Sequence, residues 1–320
     1  MGMQIRKILV GTDLTDGATM AIEAAIDLAR HVGAEVVLVH ATTVPDYETP
    51  FREPPSELTR ALESIVDERR ERLQEVRERY DGGGVTLSQV VVDAVPARGI
   101  TQVAEELDAD LVVVGTHGRK GLRRLLLGSV ANRVVRHCKR SVAVARHKRG
   151  QGFHERVLVP TDFSHSAEVA LETALALVAD RGTIELLHCW QLPSESSGSW
   201  ALAKKLPGKQ TRSLRSAFED AAREAGAELL ERYATDRAEA RFSYIQANPK
   251  DGILRKLDEE DYDLVVMGNR GRRGLTRWLL GSVAESVVRH APCSVLVARA
   301  RDDEEVDRET SAAHRHPSER

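Results

Sequence analysis

Two stretches of this chain carry glycines and a serine at one spacing, Gly-x2-Gly-x9-Gly-Ser. The first set is Gly115, Gly118, Gly128 and Ser129; the second is Gly268, Gly271, Gly281 and Ser282. Glycines so placed let the backbone turn tightly and bring amide N–H groups against a ligand with no Cβ in the way. Each closing Gly-Ser, followed by Val130 or Val283, opens an amphipathic helical period. Free N–H groups and the helix dipole favour an anion there. Between the glycines lie Arg119, Lys120, Arg123 and Arg124, answered by Arg272, Arg273 and Arg277. These parts suit phosphate groups. The plainer use is a tight turn whose serine caps a helix, and Ser282-Val-Ala-Glu285 fits a capping box. Two cation-rich copies at identical spacing favour phosphate binding.

Better-known phosphate motifs do not fit. A Walker loop needs Gly-Lys-Ser/Thr, whereas Gly208-Lys209 is followed by Gln210 in what reads as a polar loop. The dinucleotide fingerprint belongs after the first strand, where this chain has "GTDLTDG" and "PTDFSHS". Those strand ends present Thr12, Asp13 and Thr15, then Thr161, Asp162 and Ser164. A carboxylate there would accept hydrogen bonds from a ribose or adenine, or would cap the first helix; spacing leaves both open. No serine–histidine–acid or paired-carboxylate arrangement repeats, so no catalytic apparatus is expected. A slow ATPase would need a water-positioning group. His117 and Arg270 are placed for that and differ between the copies. His40 and His188 read as satisfied strand-end histidines, Cys293 as a packed thiol, and the basic run Lys204, Lys205, Lys209 and Arg212 as a solvated loop.

The elements that position these residues come in two sets. Asp110–Arg146 and Asp263–Arg299 align without a gap, with 25 of 37 positions identical, so each copy is one structural unit. Short apolar β-branched runs alternate with helical periods, the pattern of a parallel sheet covered by helices on both faces. Strands are expected at 8–11, 36–40, 88–92, 111–115 and 141–145, and again at 157–160, 184–188, 242–246, 264–268 and 294–298. Each half has roughly 150 residues, enough for its own core. The expected layout is a first domain over 1–147, a linker over 148–155, a second domain over 156–299 and a disordered tail over 300–320. A net charge of −3 argues against general affinity for nucleic acid or acidic membranes. Three cysteines make no disulfide framework and suit a reducing compartment. With no apolar run near 18 residues and a start that passes into a strand, a soluble cytoplasmic protein is expected.

The chain resembles a tandem universal stress protein, and the resemblance covers nearly all of both halves. It implies two five-stranded α/β sandwich domains, Rossmann-like and akin to adenine-nucleotide α-hydrolases. It implies ATP as ligand, with or without Mg2+, and a nucleotide-dependent regulatory role toward a protein partner. The family's aspartate after the first strand falls on Asp13 and Asp162, and its base-side residue after the second strand on Ala41 and Cys189. Gly115, Gly118, Gly128, Ser129 and their second-half equivalents would carry the phosphates. The family pairs domains through the fifth strand, here 141–145 against 294–298, within one chain or in a homodimer. The second half enters that strand through "HAPCSV", the first through "HCKRSV", which lacks the proline.

Overall fold

The computed structural model describes residues 4–42, 56–116, 127–146, 154–191, 208–233, 238–271 and 280–301. In the first half the order is β1 (Lys7–Gly11), α1 (Asp16–Val32), β2 (Glu35–Thr42), α2 (Ser56–Arg79), β3 (Leu87–Asp93), α3 (Pro96–Glu106), β4 (Leu111–Gly115), α4 (Ser129–His137) and β5 (Ser141–Ala145). The second repeats it: β6 (Arg156–Thr161), α5 (His165–Leu177), β7 (Thr183–Trp190), α6 (Gly208–Arg232), β8 (Glu239–Gln246), α7 (Pro249–Glu259), β9 (Leu264–Gly268), α8 (Ser282–His290) and β10 (Ser294–Ala298). Gly33 ends α1 at φ 75°, its N–H bonded to Ala29 O at 2.8 Å, the left-handed stop that glycine takes most cheaply.

Among the described residues ten strands form one sheet in the order β3-β2-β1-β4-β5-β10-β9-β6-β7-β8. Pairing is parallel within each half. Alternate strand residues enter two cores, one on each face. Ile8, Val10, Val36 and Leu38 pack under α1 and α2, with Val169, Leu177 and Leu229 continuing that layer through α5 and α6. Leu9, Val37, Val39 and Val142 face α3 and α4, and Val265, Val287 and Val295 carry the layer on under α7 and α8. Strands buried on both faces explain the unbroken apolar runs.

The fifth strands join the halves. β5 pairs antiparallel with β10, Val142 opposite Val297 and Val144 opposite Val295, which leaves neither as a bare apolar edge. The joint is tied twice over. Arg299 N–H donates to Ser141 Oγ at 3.1 Å, and Arg146 N–H donates to Ser294 Oγ at 2.9 Å. The Arg299 side chain reaches Val135 O and Arg140 O at the end of α4, and Arg146 reaches Val288 O at the end of α8. Each arginine therefore supplies charge and donors to a helix C-terminus in the other half. The missing proline in the first half costs no pairing: Lys139 bonds Glu105 at 3.0 Å and Arg140 bonds Asp108 at 2.8 Å.

One expectation changes here. Gly208-Lys209, with Arg212, lies not in a loop but in α6; straight-chain helix formers outweigh polarity as a loop signal there. Lys204 and Lys205 lie outside the described residues. At the junctions, His154 is buried and Glu155 O accepts from Thr183 N–H. Arg301 bonds Asp108 Oδ2 at 2.6 Å and Asp110 Oδ1 at 3.1 Å.

Candidate functional site

In each half the strand order reverses between the first and fourth strands, since β1 feeds β2 on one side while β4 lies on the other. Chains leaving that switch point part company and open a crevice at the carboxyl edge. In the first half a cleft of about 190 Å³ lies there, with Gly11, Thr12 and Asp13 from β1 on one side and Gly115 and Thr116 from β4 on the other. Ala41 and Ile100 form its apolar floor, and Gly128 to Ala131 close it.

The turn after β1 is held in a sparsely populated conformation. Leu14 has φ 60°, as does Phe163 at the equivalent point, a left-handed setting that costs a side-chain-bearing residue roughly 1–2 kcal/mol. Both side chains pack on the core, which holds the turn in place. Leu14 N–H donates to Thr12 Oγ1 at 3.1 Å, and Phe163 N–H to Thr161 Oγ1 at 2.9 Å. Asp13 Oδ1 accepts from Thr15 N–H at 3.1 Å and from its hydroxyl at 2.6 Å; Asp162 Oδ1 accepts from Ser164 N–H at 3.1 Å. The helix caps are Thr15 and Ser164, so the capping reading of the aspartates is wrong. They brace the turn with one oxygen. His40 and His188 support it from below, each Nδ1–H donating to the carbonyl of Thr12 or Thr161 at 2.9 and 2.8 Å.

The far wall is the start of α4. Its N-cap is Gly128 at φ −60°, ψ 153°, with no side-chain cap hydrogen bond, and Gly281 does the same for α8. Ser129 and Ser282 are therefore the first residues of their helices rather than caps, and the capping-box reading of Ser282–Glu285 does not hold. Glu285 instead bonds Arg136 across the joint and Arg289 on its own helix. The first helical bond of α4 is Asn132 N–H to Gly128 O at 2.9 Å, so the Ser129, Val130 and Ala131 amides precede the ladder at the positive end of the helix. Gly128 N–H donates to Thr116 O at 2.8 Å and closes the neck of the loop; Gly281 N–H to Asn269 O, at 2.7 Å, is its counterpart. A Cβ on Gly128 would stand 2.9 Å from Thr116 O. Here the glycine is required by close approach, not by an unusual dihedral.

Of the residues singled out from sequence, Thr12, Asp13, Ala41, Gly115, Gly128, Ser129 and Val130 meet in this cleft. Thr15 is turned to Asp13 instead. His117, Gly118, Arg119 and Arg272 lie outside the described residues. Sequence reasoning missed Gly11, Pro96, Ile100 and Thr116. The Ala-x-Pro turn at Ala94–Pro96 was a signal, since Pro at a first helical position marks where α3 begins. In the second half Gly268 lies against Ser166, and Gly271 faces Asp162; Thr161 and Cys189 end their strands as Thr12 and Ala41 do. Arg270 follows Asn269 at the neck of that loop.

A doubly wound parallel sheet with a glycine-capped helix at its switch point defines a Rossmann-like domain, present here twice in tandem. The model of the universal stress protein family matches residues 4–146 and 154–299. Universal stress protein MT2698 of Mycobacterium tuberculosis is 30% identical over 305 residues, covering 91% of this chain and 96% of that protein. Universal stress protein Rv2005c of the same species is 32% identical over 225 residues, 67% of this chain and 70% of its own. The solved structure of a universal stress protein from Archaeoglobus fulgidus covers 94% of this chain and 98% of its own at TM-score 0.60 and 23% identity, a likeness of fold. This chain belongs to the universal stress protein family. Among the described residues no helix is long and apolar enough to cross a membrane.

Proposed function

We propose that this protein binds an adenine nucleotide, ATP above all and with or without Mg2+, and that occupancy regulates its dealings with a protein partner. The observation that carries the reading is the glycine-capped start of α4, whose uncapped amides face a cleft with an apolar floor and a carboxylate at its rim. The chemistry of each wall suits one part of the ligand. Ala41 and Ile100 offer a flat apolar surface for a base. Asp13, whose Oδ1 is occupied by Thr15, retains an oxygen for a ribose hydroxyl. The Ser129 and Val130 amides suit phosphate oxygens, and the neck at Gly128 leaves them no side chain to pass. At about 190 Å³ the cleft is smaller than the roughly 300–1,000 Å³ of whole small-molecule pockets. It suits the base and ribose, with the phosphates at its mouth. Among the described residues the walls offer binding groups and no paired base and orienting group, which supports binding as the role.

Thermal melting with ATP, ADP and AMP tests this. Ligand at 100 times its Kd stabilises a protein by about 2.7 kcal/mol, roughly 5–10 °C for domains of this size. No shift with any of the three at millimolar concentration would refute the reading.

A further inference from the structure

The carboxylate at the cleft rim is aimed by groups outside its own segment. Thr12 N–H donates to Val39 O at 2.9 Å, and His40 Nδ1–H donates to Thr12 O at 2.9 Å, 28 residues back along the chain. Both anchors lie on β2. On the other side of Asp13, Leu14 N–H donates to Thr12 Oγ1 at 3.1 Å. The carbonyl that His40 holds belongs to the peptide entering Asp13, and the amide that Thr12 holds belongs to the peptide leaving it. Those two planes fix the backbone angles at Asp13, and with them the direction in which its carboxylate leaves the chain.

His40 is built for this task. It is 5% exposed, its ring is stiff, and a ring nitrogen that meets a carbonyl oxygen can only donate. It shares the α1 and α2 face of β2 with Val36 and Leu38, whereas Ala41, on the opposite face, lines the cleft. The second half repeats the arrangement with different neighbours. His188 Nδ1–H donates to Thr161 O at 2.8 Å, Phe163 N–H donates to Thr161 Oγ1 at 2.9 Å, and Phe163 again has φ 60°. The Phe163 ring lies against His188, centroids 4.7 Å apart, but Leu14 stands there in the first half. The imidazole–carbonyl bond, and not ring stacking, is what the two copies share.

We propose that His40, and His188 in the second copy, are positioning residues for nucleotide binding, each holding the peptide that aims the rim carboxylate, Asp13 or Asp162, at the ligand. This rests on the nucleotide reading of the cleft. Without the imidazole, Thr12 O is a buried acceptor that has lost a donor. Rotation of its peptide toward water relieves that loss together with the strain at Leu14, and swings Asp13 off the rim. The histidine acts through the carboxylate, so its effect on affinity exists only while the carboxylate is present.

Calorimetric titration of the full chain with ATP tests this, with both copies changed together so that the outcome does not depend on how many sites fill. His40→Leu with His188→Leu should weaken binding about 5- to 10-fold. His40→Asn with His188→Asn puts an amide N–H near the Nδ1 position and should stay within about threefold of the parent. His40→Gln with His188→Gln puts it near the Nε2 position instead and should behave like leucine, which keeps the contrast available if the leucine variant does not fold. In an Asp13→Ala, Asp162→Ala background the leucine and glutamine changes should have no further effect on affinity. Equal affinities for the asparagine and glutamine variants would overturn the proposal. So would losses that add to those of the alanines, or lower melting temperatures with parental affinity, the mark of a histidine that only supports the fold. Those outcomes leave nucleotide binding standing; a parent chain that binds none of ATP, ADP and AMP would instead remove the reading beneath it.

Discussion

Glu185, the third residue of β7, is 3% exposed, and its carboxylate is satisfied on every side. It accepts from Ser243 Oγ at 2.6 Å, Tyr262 OH at 2.8 Å, Lys256 Nζ at 2.9 Å and the Arg241 guanidinium. Burial works to raise this carboxyl, but the hydrogen bonds from Ser243, Lys256, Tyr262 and Arg241 outweigh it and hold it down from 4.5 to about 2. At about 1.4 kcal/mol per pH unit that difference amounts to about 3 kcal/mol. Because the folded value is the lower, this stability is full above pH 4.5 and is lost as pH falls toward 2. Glu185→Gln removes the charge and leaves Lys256, 16% exposed, with only the half-exposed Glu260 at 2.6 Å as its ion partner; Arg241, 60% exposed, keeps Glu260 and can turn to water. A loss of about 2–3 kcal/mol at pH 7 is expected, below the roughly 3–5 kcal/mol of fully enclosed pairs. In a melt that is roughly 5–10 °C. The first half shows the alternative, since Val37, Val103 and Ala109 fill the positions of Glu185, Lys256 and Tyr262 and belong to the apolar core. A Glu185→Leu, Lys256→Met, Tyr262→Phe variant should therefore stay within about 1 kcal/mol of the parent and lose the acid slope below pH 4.5. Denaturant titrations from pH 3 to pH 7 measure both quantities. An E185Q protein as stable as the parent, or one that keeps the acid slope, would refute the reasoning.

At the loop necks, Gly128→Ala drives a Cβ to 2.9 Å from Thr116 O, whereas Gly281→Ala meets Asn269 O at 3.4 Å. Overpacking of about 1–3 kcal/mol should weaken nucleotide binding about 5- to 150-fold in the first variant and leave it unchanged in the second, as calorimetry would register. His154 is buried against His31, ring centroids 4.6 Å apart, with Asp27 3.9 Å from its Nδ1 and Glu155 beside it. Burial and then His31 lower it from 6.5 against the pull of Asp27 and Glu155. The unfolded chain takes up the proton first, so stability should be full above pH 6.5 and decline below it; His154→Asn should flatten that slope, and an unaltered slope would contradict the assignment. The fragment 152–299 bares the β5-facing edge of β10, an apolar strand whose five residues are all buried in the full chain. It should dimerise or aggregate in sedimentation at micromolar concentration, and a stable monomer there would contradict the paired edge.

The repeat, the two-domain plan and nearly every strand are legible along the chain, because local hydrogen bonding and burial write a period into it. Val36 to His40 and Leu111 to Gly115 could hardly be anything but strands buried on both faces, and the glycine spacing marked both loops. The fifth-strand pairing was legible too, since two apolar edges in one chain have one economical way to disappear. What depends on distances between residues far apart in the chain emerges only when the elements pack. Whether Ser129 caps a helix or begins it turns on where Gly128 meets Thr116. That Asp13 braces a turn depends on Leu14 being held at positive φ by a core its own segment does not contain. Thr12, Ala41, Ile100 and Gly128 stand far apart along the chain. They become the walls of one cleft only once β1, β4 and the start of α4 stand around the same space, because a cleft is a property of clearances among packed atoms and no local pattern records those.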